Sequence, residues 1–361
     1  MMGNRKENVF IVLTEYHILI SLSIILEKFS DQEKYINTII MLISQNRLKA
    51  DYKFEWPGSN VEILTINMSK DFSFFSSEIK KTIVKILDRD IYNLFYFLEN
   101  EFVTTYVINK LKKKGTNVCL CQDGLKAYAT KRHAPLYSRI KSTFLMHLRL
   151  WRNCMPVDNF YLYDSGFGKY KHDDQYWLTN PELYSENKFS KPIEKISTEI
   201  LSTKSKIVET VFNFTNADAE NLKGKFFYVN QPLPNEVVDF ECKIIFESLL
   251  KHGAISIKLH PHTSAYAIEQ YSSMPGVFLF KSGIPAEIYI QHMRNIIILS
   301  GWSTALLIDN PTCSYYWLFP LMKKNVKMID INIQTVPSHI QIIDDLLLIE
   351  SRAKKIIDHN Y

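Results

Sequence analysis

The feature that most constrains the fold is an alternation of short apolar runs with longer helical stretches, which occurs in two separate series along the chain. Runs rich in Ile, Val, Phe and Tyr predict buried strands, and the stretches between them predict helices. Strands that alternate with helices are typical of a mainly parallel α/β sheet. The 361 residues of the chain amount to about two average domains in length. The sequence therefore predicts an α/β protein of two domains.

The first series predicts an N-terminal domain over residues 1–205. Its predicted strands are Val9–Leu13, Ile36–Ile43, Val61–Ile66, Ile91–Leu98 and Asn117–Cys121. One predicted helix ends at about Lys28 and another covers Ser76–Leu87. A polar stretch from Lys171 to about Lys206 then interrupts the pattern, and we predict that residues 170–205 form a linker region.

The second series predicts a C-terminal domain over residues 206–361. Its predicted strands are Phe226–Asn230, Ala254–Lys258, Val277–Phe280, Ile296–Leu299 and Val326–Ile331. Its predicted helices are Glu236–Lys251, Pro285–Met293 and Ile340–Ile357. Open α/β sheets bind ligands beyond the carboxyl ends of their strands, so the residues that follow each strand are the candidates for a site.

Several protein classes are excluded by composition and by missing motifs. Hydrophobic residues make up 46% and charged residues 22% of the chain, which excludes disordered, collagen-like and coiled-coil proteins. The sequence contains neither GxGxxG nor GxxxxGK[ST]. We therefore expect neither a dinucleotide-binding dehydrogenase nor a P-loop ATPase.

The sequence shows no targeting or membrane-spanning segment. Only the five apolar residues Val9–Leu13 follow Arg5 and Lys6, and a secretory signal needs about 7 to 15. The longest nearly apolar run, Tyr16–Leu26, is well below the ~20 residues that span a bilayer. Five cysteines without zinc-site spacing favour free thiols in a reducing compartment. We expect a cytoplasmic protein.

Lysine and histidine residues follow one predicted strand of the second domain in the segment Lys258-Leu259-His260-Pro261-His262. Lys258 and His260 can supply positive charge to a phosphate, and Pro261 restricts the backbone that presents His260. A structural histidine is one alternative. A metal site that uses His262 is another, although no third ligand lies nearby in the sequence.

Small hydroxyl residues follow another strand of the second domain, in Ser300-Gly301-Trp302-Ser303-Thr304. They precede a predicted short helix, Ala305–Ile308, whose free N–H groups would bind an anion. The alternative is that Ser303 or Thr304 simply caps that helix. Glu287 lies at the start of another helix, where it could contact a ribose or serve as an N-terminal carboxylate.

Polar residues also follow two strands of the first domain. The last predicted strand of the first series is followed by Gln122-Asp123-Gly124. A carboxylate there is placed to accept a proton from a substrate hydroxyl, although Asp-Gly is also an ordinary turn pair. The first strand is followed by Thr14, Tyr16 and His17. We expect these residues at the same edge of the sheet, as candidates for the acceptor side of a site.

These motifs resemble those of bacterial sialyltransferases, the group that includes the polysialyltransferases and the lipooligosaccharide sialyltransferases. His260-Pro261 is similar to their HP motif, Gln122-Asp123-Gly124 to their acidic-acidic-glycine motif, and Ser303-Thr304 to their paired-hydroxyl motif. The sequence departs from the pattern at Gln122, where the family has an acid. The resemblance implies the GT-B fold, with two Rossmann-like domains facing a cleft, and transfer from CMP-sialic acid without a metal or a cofactor.

The resemblance also implies a role for each matching residue. Asp123 would act as the general base on the acceptor hydroxyl, and His260 would stabilise or protonate the departing CMP phosphate. The remaining residues would hold the nucleotide sugar, and they are Lys258, Pro261, Glu287, Ser303 and Thr304. The acceptor would be a cell-surface glycan such as a lipooligosaccharide, an O-antigen or a capsule repeat.

Three other functions stay open at this stage. A CMP-Kdo transferase would use a similar activated acidic sugar. A CDP-glycerol glycerophosphotransferase would have His-Pro motifs on a similar fold, but with a separate histidine in place of the acidic-glycine turn. A non-catalytic glycan-binding protein is the third alternative, in which Gln122 marks the loss of a former active site.

A basic segment without Asp or Glu lies between Gly124 and Val157, in a chain whose net charge is +5. Its seven positive residues are Lys126, Lys131, Arg132, Arg139, Lys141, Arg149 and Arg152. Leu, Phe, Met and Trp residues are interleaved with them. Such segments favour anionic membranes, and a polyanionic glycan would be attracted in the same way. We predict peripheral contact of residues 126–152 with the inner face of the plasma membrane, and no nucleic-acid partner.

Overall fold

A computed structural model shows two compact units, 1–211 and 212–361. The structure describes residues 5–43, 55–68, 76–99, 101–128, 135–157, 167–168, 172–184, 191–215, 218, 222–280, 283–326, 336–345, 347–348 and 351. Each unit has one sheet, and every strand pair in the described residues is parallel. The predicted α/β class is therefore confirmed.

The sheet of the N-terminal unit has seven strands in the order β3-β2-β1-β4-β5-β6-β7. The strands are β1 (Lys6–Val12), β2 (Tyr35–Ile43), β3 (Val61–Asn67), β4 (Ile91–Tyr96), β5 (Asn117–Cys121), β6 (Gln175–Leu178) and β7 (Ile193–Lys195). The helices are α1 (Glu15–Lys28), α2 (Ser77–Leu87), α3 (Phe102–Lys113), α4 (Leu136–Arg152), α5 (Glu199–Thr203) and α6 (Ser205–Phe212). The strands and helices predicted for the first series are confirmed.

Four buried or half-buried asparagines fix the register of the central strands in this sheet. Asn8 donates to Asn37 over 3.0 Å, Asn93 donates to Asn8 over 2.8 Å, and Asn117 donates to Asn93 over 2.9 Å. The four residues are paired across neighbouring strands. A slip of one strand by one residue would leave these amides without partners in the interior, which is costly.

The sheet of the C-terminal unit has six strands in the order β10-β9-β8-β11-β12-β13. The strands are β8 (Phe226–Val229), β9 (Ile255–Lys258), β10 (Val277–Phe280), β11 (Ile297–Ser300), β12 (Ser314–Trp317) and β13 (Ile340–Ile342). Helix α7 joins three consecutive segments, Asn235–Phe240, the π-helical Glu241–Phe246, and Glu247–Leu250. The other helices are α8 (Ala265–Ser272), α9 (Ala286–His292) and α10 (Phe319–Asn325).

The structure differs from the sequence prediction at several short elements. The polar stretch after Lys171 contributes β6 and β7 to the sheet, and β12 was not predicted either. Strands of three or four residues are too short to show a periodicity of their own. Ile340–Ile342 forms a strand where the sequence predicted the start of a helix. Most of the predicted strand Val326–Ile331 lies outside the described residues.

No helix in the described part of the chain is both long enough and apolar enough to cross a bilayer. All five cysteines have free thiols.

Candidate active site

In the N-terminal unit, the carboxyl ends of β1 and β5 bring His17 and Asp123 into contact. Nε2 of His17 lies 3.0 Å from Oδ1 of Asp123. The backbone N–H of Leu13 donates to Nδ1 of His17 over 3.2 Å. Because Nδ1 is an acceptor, the ring hydrogen is on Nε2. His17 therefore donates to Asp123 and fixes the position of one carboxylate oxygen.

The local structure around His17 holds the imidazole in one orientation. The side chain of Thr14 caps α1 and accepts from the backbone N–H of His17 over 3.2 Å. The imidazole stacks on Phe97, with ring centroids 4.2 Å apart and planes 6° from parallel. The side chain of His17 is 0% exposed and that of Asp123 is 23% exposed. Only Asp123 of this pair can therefore reach a substrate.

The glycine after Asp123 is required by the backbone. Gly124 has φ 66°, in the left-handed region that side chains other than glycine disfavour. It begins a 3₁₀ turn, Gly124–Ala127, which takes the chain sharply away from β5. The turn leaves Asp123 at the carboxyl end of the strand.

Gln122 is a buried structural residue. Its Oε1 accepts from the backbone N–H of Thr179 over 3.0 Å and from the hydroxyl of Tyr128. Its Nε2 donates to the hydroxyl of Tyr16 over 3.0 Å. Gln122 is 0% exposed, so it cannot exchange a proton with a substrate. The same network holds Tyr16, which the sequence suggested for the acceptor side.

In the C-terminal unit, the structure brings Lys258, Glu287 and Thr304 together. The Thr304 hydroxyl donates to Oε1 of Glu287 over 3.4 Å. Burial raises the pKa of Glu287, while the positive charge of Lys258 and the Thr304 hydrogen bond oppose this shift. Lys258 is only 7% exposed. A buried lysine with a carboxylate nearby places a fixed positive charge at the end of β9.

His260 follows the same strand and is neutral at pH 7. The pKa of His260 is lowered to about 4, mainly by burial and to a smaller extent by the charges of the nearby His262 and Lys258. The backbone N–H of His262 donates to Nδ1 of His260 over 3.1 Å. The hydrogen of the His260 ring is therefore on Nε2. This geometry presents one N–H donor, with Pro261 between the two histidines.

Asn230 is a further residue of the candidate site, and the sequence did not indicate it as one. It follows β8, the strand between β9 and β11. Its Oδ1 accepts from the Thr263 hydroxyl over 2.5 Å and from the backbone N–H of His260 over 3.5 Å. The sequence pattern places Asn230 at the end of the predicted strand Phe226–Asn230. A buried polar residue at the carboxyl end of a central strand is the signal that could have identified it.

The predicted helix after Thr304 is only one 3₁₀ turn, Thr304–Leu307. Ser303 caps it by accepting from the backbone N–H of Ala305 over 3.2 Å, which is the alternative that the sequence left open. One turn has too few aligned peptide groups to bind an anion as a helix does. Any anion contact here would come from the Ser303 hydroxyl and the neighbouring side chains.

Asp173 lies in the polar stretch that the sequence predicts to be a linker region. The side chain is instead fully buried, and Oδ1 accepts from the Tyr96 hydroxyl over 2.5 Å. Burial raises the pKa of Asp173 to about 7. In the part of the chain that the structure describes, no group of three His, Cys, Asp or Glu side chains could hold a metal ion.

Comparison with known proteins gives one family match and two similar folds. The model of the family described as alpha-2,8-polysialyltransferase matches residues 2–313. A 2,6-sialyltransferase from Photobacterium sp. JT-ISH-224, solved with CMP and lactose, is 11% identical with a TM-score of 0.50, over 86% of this chain and 70% of that one. A protein assigned as a UDP-N-acetylglucosamine 2-epimerase from Listeria monocytogenes is 10% identical with a TM-score of 0.54, over 98% and 88%. No match was found among the curated proteins.

These likenesses confirm the predicted GT-B fold of two parallel-sheet units. At such low identity, a similar structure shows the fold alone, because one fold supports many activities. The two similar structures therefore do not show whether this chain is a transferase or an epimerase.

Proposed function

We propose that this chain, which belongs to the alpha-2,8-polysialyltransferase family, transfers sialic acid from CMP-sialic acid to a hydroxyl group of a glycan. Family membership makes the chain a sialic acid glycosyltransferase, as the motifs predicted. The donor, the acceptor and the residue roles are the further content of the proposal.

The single observation that carries the mechanism is the His17–Asp123 pair. The carboxylate is the exposed member, and its orientation is set by a buried imidazole whose tautomer is fixed. A general base needs such a fixed position to remove a proton from a hydroxyl as the new bond forms. We therefore assign Asp123 as the base that acts on the acceptor. This assignment places the reacting carboxylate at the second position of the motif, so Gln122 is no obstacle to activity.

Leaving-group stabilisation is assigned to the end of β9. When the bond between sialic acid and CMP breaks, negative charge grows on the phosphate. His260 offers the N–H of Nε2, and Lys258 contributes positive charge in a largely buried setting. Groups held in place before the reaction stabilise such charge without reorganising. A bound phosphate would also raise the pKa of His260, which would allow it to transfer its proton.

The family description suggests the acceptor. An alpha-2,8 linkage joins the donor to the hydroxyl at C8 of a terminal sialic acid, so we propose an acceptor that already ends in sialic acid. Purified protein should be assayed for nucleotide release with CMP-sialic acid, CMP-Kdo and CDP-glycerol. Each donor should be tested with oligosialic acid, with lactose and without acceptor. Release from CMP-sialic acid that requires oligosialic acid supports the proposal.

The other outcomes identify the alternatives. Preference for CMP-Kdo or CDP-glycerol would assign the chain to a different donor. Requirement for lactose would keep the donor and change the acceptor. Binding of glycans without nucleotide release would favour the non-catalytic protein.

Helix α4 supports a second part of the proposal, peripheral contact with an anionic membrane. Five large apolar residues recur at spacings of three or four along this helix: Tyr137, Ile140, Phe144, Leu148 and Trp151. Four of them are among the most exposed apolar side chains in the described residues, with Tyr137 77% and Trp151 71% exposed. The opposite face is buried through Thr143, Met146 and Leu150.

Basic residues border this apolar stripe. Lys141, Arg149 and Arg152 are exposed, and helical spacing places them on the neighbouring face. An exposed apolar stripe with adjacent positive charge fits the boundary between lipid headgroups and acyl chains. A glycan groove would explain the charge but not the apolar side chains, so we propose that α4 contacts the anionic inner surface of the plasma membrane. The basic residues Lys131 and Arg132 lie outside the described residues, as does the side chain of Lys126.

A further inference from the structure

A fully buried carboxyl group in the C-terminal unit, that of Glu241, is hydrogen-bonded to two tyrosines that contact the elements carrying the candidate donor-site residues. Glu241 is 0% exposed and begins the π-helical segment of α7. The hydroxyl of Tyr228 donates to one of its oxygens, and the hydroxyl of Tyr271 donates to the other. Short π-helical segments within helices are frequent at functional sites. Burial of a carboxyl group costs free energy unless neighbouring groups form hydrogen bonds with it.

One set of hydrogen bonds leads from Glu241 to the loop of His260. The hydroxyl oxygen of Tyr271 accepts from Nδ2 of Asn230 over 3.2 Å. Oδ1 of Asn230 in turn accepts from the Thr263 hydroxyl and from the backbone N–H of His260. Each donor in this set points toward the carboxyl group. The orientation of the Asn230 amide, and with it the position of the His260 loop, therefore depends on Glu241.

A packing contact leads from Glu241, through Tyr228, to the loop of Ser303 and Thr304. The hydroxyl oxygen of Tyr228 lies 3.9 Å from the position that a Cβ atom at residue 301 would occupy. The carbonyl of Gly301 accepts from Nε1 of Trp317 over 2.9 Å. A Cβ atom at residue 301 would lie 2.7 Å from Sδ of Met322, so the loop backbone packs tightly against α10. Tyr228 is therefore a fixed point for the start of this loop.

We propose that Glu241 is a positioning residue of the donor site, which holds the His260 loop through Tyr271 and Asn230 and the Gly301 loop through Tyr228. One carboxyl group thereby keeps both loops in the geometry that binds the nucleotide. The inference rests on the proposed function, since it takes the two loops as the nucleotide site. Glu241 does not touch the substrate.

The protonation state of Glu241 adds a property that a purely structural residue would lack. Burial raises the pKa of Glu241 to about 7. The titratable groups that face it are Tyr228 from β8 and Tyr271 from α8, and burial raises the pKa of both phenols well above the usual value. A carboxylate can accept both phenol hydrogens. A protonated carboxyl group must donate its own hydrogen, so one phenol then loses its acceptor.

The test compares Glu241→Gln with a matched control on the same two helices. Asp239 on α7 accepts from the hydroxyl of Tyr266 on α8 over 2.5 Å, but this pair has no hydrogen bond to either loop among the described residues. We expect Glu241→Gln to weaken CMP binding by about tenfold or more, the effect of about one lost hydrogen bond. Asp239→Asn should bind CMP as the wild type does.

Two further variants test the connections through Tyr228 and Tyr271 separately. Their results remain informative even if Glu241→Gln does not fold. Tyr228→Phe should accelerate hydrogen exchange of the Trp317 indole N–H, which donates to the carbonyl of Gly301, because it removes the hydroxyl that packs against this loop. Tyr271→Phe should leave that exchange unchanged. Both should weaken CMP binding while their melting temperatures show that they are folded. CMP affinity of the wild type should fall as the pH is lowered through 7. The ratio of wild-type to Glu241→Gln affinity should fall as well. This ratio is the quantity to compare, because titration of CMP itself affects both proteins equally.

The results distinguish this inference from the proposed function. If the wild type does not bind CMP, the proposed donor is wrong, and exchange of the Trp317 indole N–H still tests the positioning role. Folded variants that all bind CMP within about twofold of the wild type and retain slow exchange of this indole N–H would overturn the inference.

Discussion

His17 donates to Asp123 over 3.0 Å, and the donor of this hydrogen bond is fully buried while the acceptor is partly exposed. In the proposed mechanism, the buried imidazole sets the orientation and the partly exposed carboxylate meets the substrate. The two residues would then have separate roles in one chemical step, and their substitution should have different effects.

Asp123→Asn should abolish transfer and leave CMP binding intact. The amide is nearly the same size as the carboxylate but cannot accept a proton, and loss of a general base lowers the rate by roughly 10² to 10⁴. Initial rates and calorimetry with CMP measure the two effects. The exposed carboxylate Asp90 provides the control, since Asp90→Asn should change neither. Asp123→Asn with most of its activity would show that the base lies elsewhere, and Glu15 would be tested next.

His17→Gln should lower kcat by about tenfold to a hundredfold, with CMP affinity unchanged, because a hydrogen bond to a charged group is worth about 1.5 to 3 kcal/mol. Steady-state kinetics measure kcat of the variant, and calorimetry measures its affinity for CMP. If His17 acts only through Asp123, Asp123→Asn combined with His17→Gln should be no slower than Asp123→Asn alone.

The sequence predicts the edges of the sheets at which the candidate site residues lie, but not the contacts among them. Alternating strands and helices require Thr14, His17 and Asp123 to follow strands, and carboxyl ends of parallel strands share an edge. The hydrophobic periodicity of the sequence does not specify the order of the strands in the sheet. β4 lies between β1 and β5, and Phe97 after β4 supplies the ring on which His17 stacks. The His17–Asp123 hydrogen bond depends on that order.

For Glu241, the sequence pattern predicts burial of the side chain but not its hydrogen-bond partners. Helical spacing puts Glu241 on the same face as the buried residues Val238 and Ile245, and a charged residue on an apolar face is a visible signal. Its partners Tyr228 and Tyr271 come from a strand and from another helix. Their convergence on one carboxyl group depends on packing between elements, which the local sequence does not specify.

Gln122→Glu should leave kcat within about threefold of the wild type. Oε1 of Gln122 serves Thr179 and Tyr128 inside the unit, where a carboxylate would meet the same donors without reaching the substrate. Steady-state kinetics of the variant and the wild type measure this ratio of kcat values. A rate increase of tenfold or more in Gln122→Glu would mean that the first motif position takes part in the chemistry and that Gln122 does weaken the site.

Asp173→Asn should make stability less dependent on pH. The pKa of Asp173 is raised from 3.8 to about 7 by burial, so its contribution to folding is fully present below pH 3.8 and is lost as the pH rises through about 7. The free energy of unfolding of the variant should therefore rise relative to the wild type between pH 4 and 7. Urea unfolding at pH 5, 6, 7 and 8 measures this difference. A difference that stays constant over this range would show that the Asp173 carboxyl group titrates normally.

Replacing the exposed basic residues of α4 should weaken binding to anionic vesicles. Lys141, Arg149 and Arg152 each contribute about 1 kcal/mol near an anionic surface, so their combined change to Gln should lower affinity by about a hundredfold at low salt. Flotation with vesicles of anionic and of neutral lipids measures the effect. Helix α2 offers a control with the same loss of charge and without an exposed apolar stripe: Lys80, Lys81 and Lys85 changed to Gln.

The apolar stripe of α4 distinguishes a membrane from a glycan as its partner. Changing Phe144 and Trp151 to Ser removes two large side chains that would enter the lipid interface and leaves the charges in place. Membrane contact requires that this variant float poorly even with anionic vesicles, because attraction between charges alone does not replace the buried apolar area. A glycan-binding surface predicts normal flotation together with a raised KM for oligosialic acid. Unchanged flotation of both the charge variant and the Ser variant would therefore remove α4 from the membrane contact.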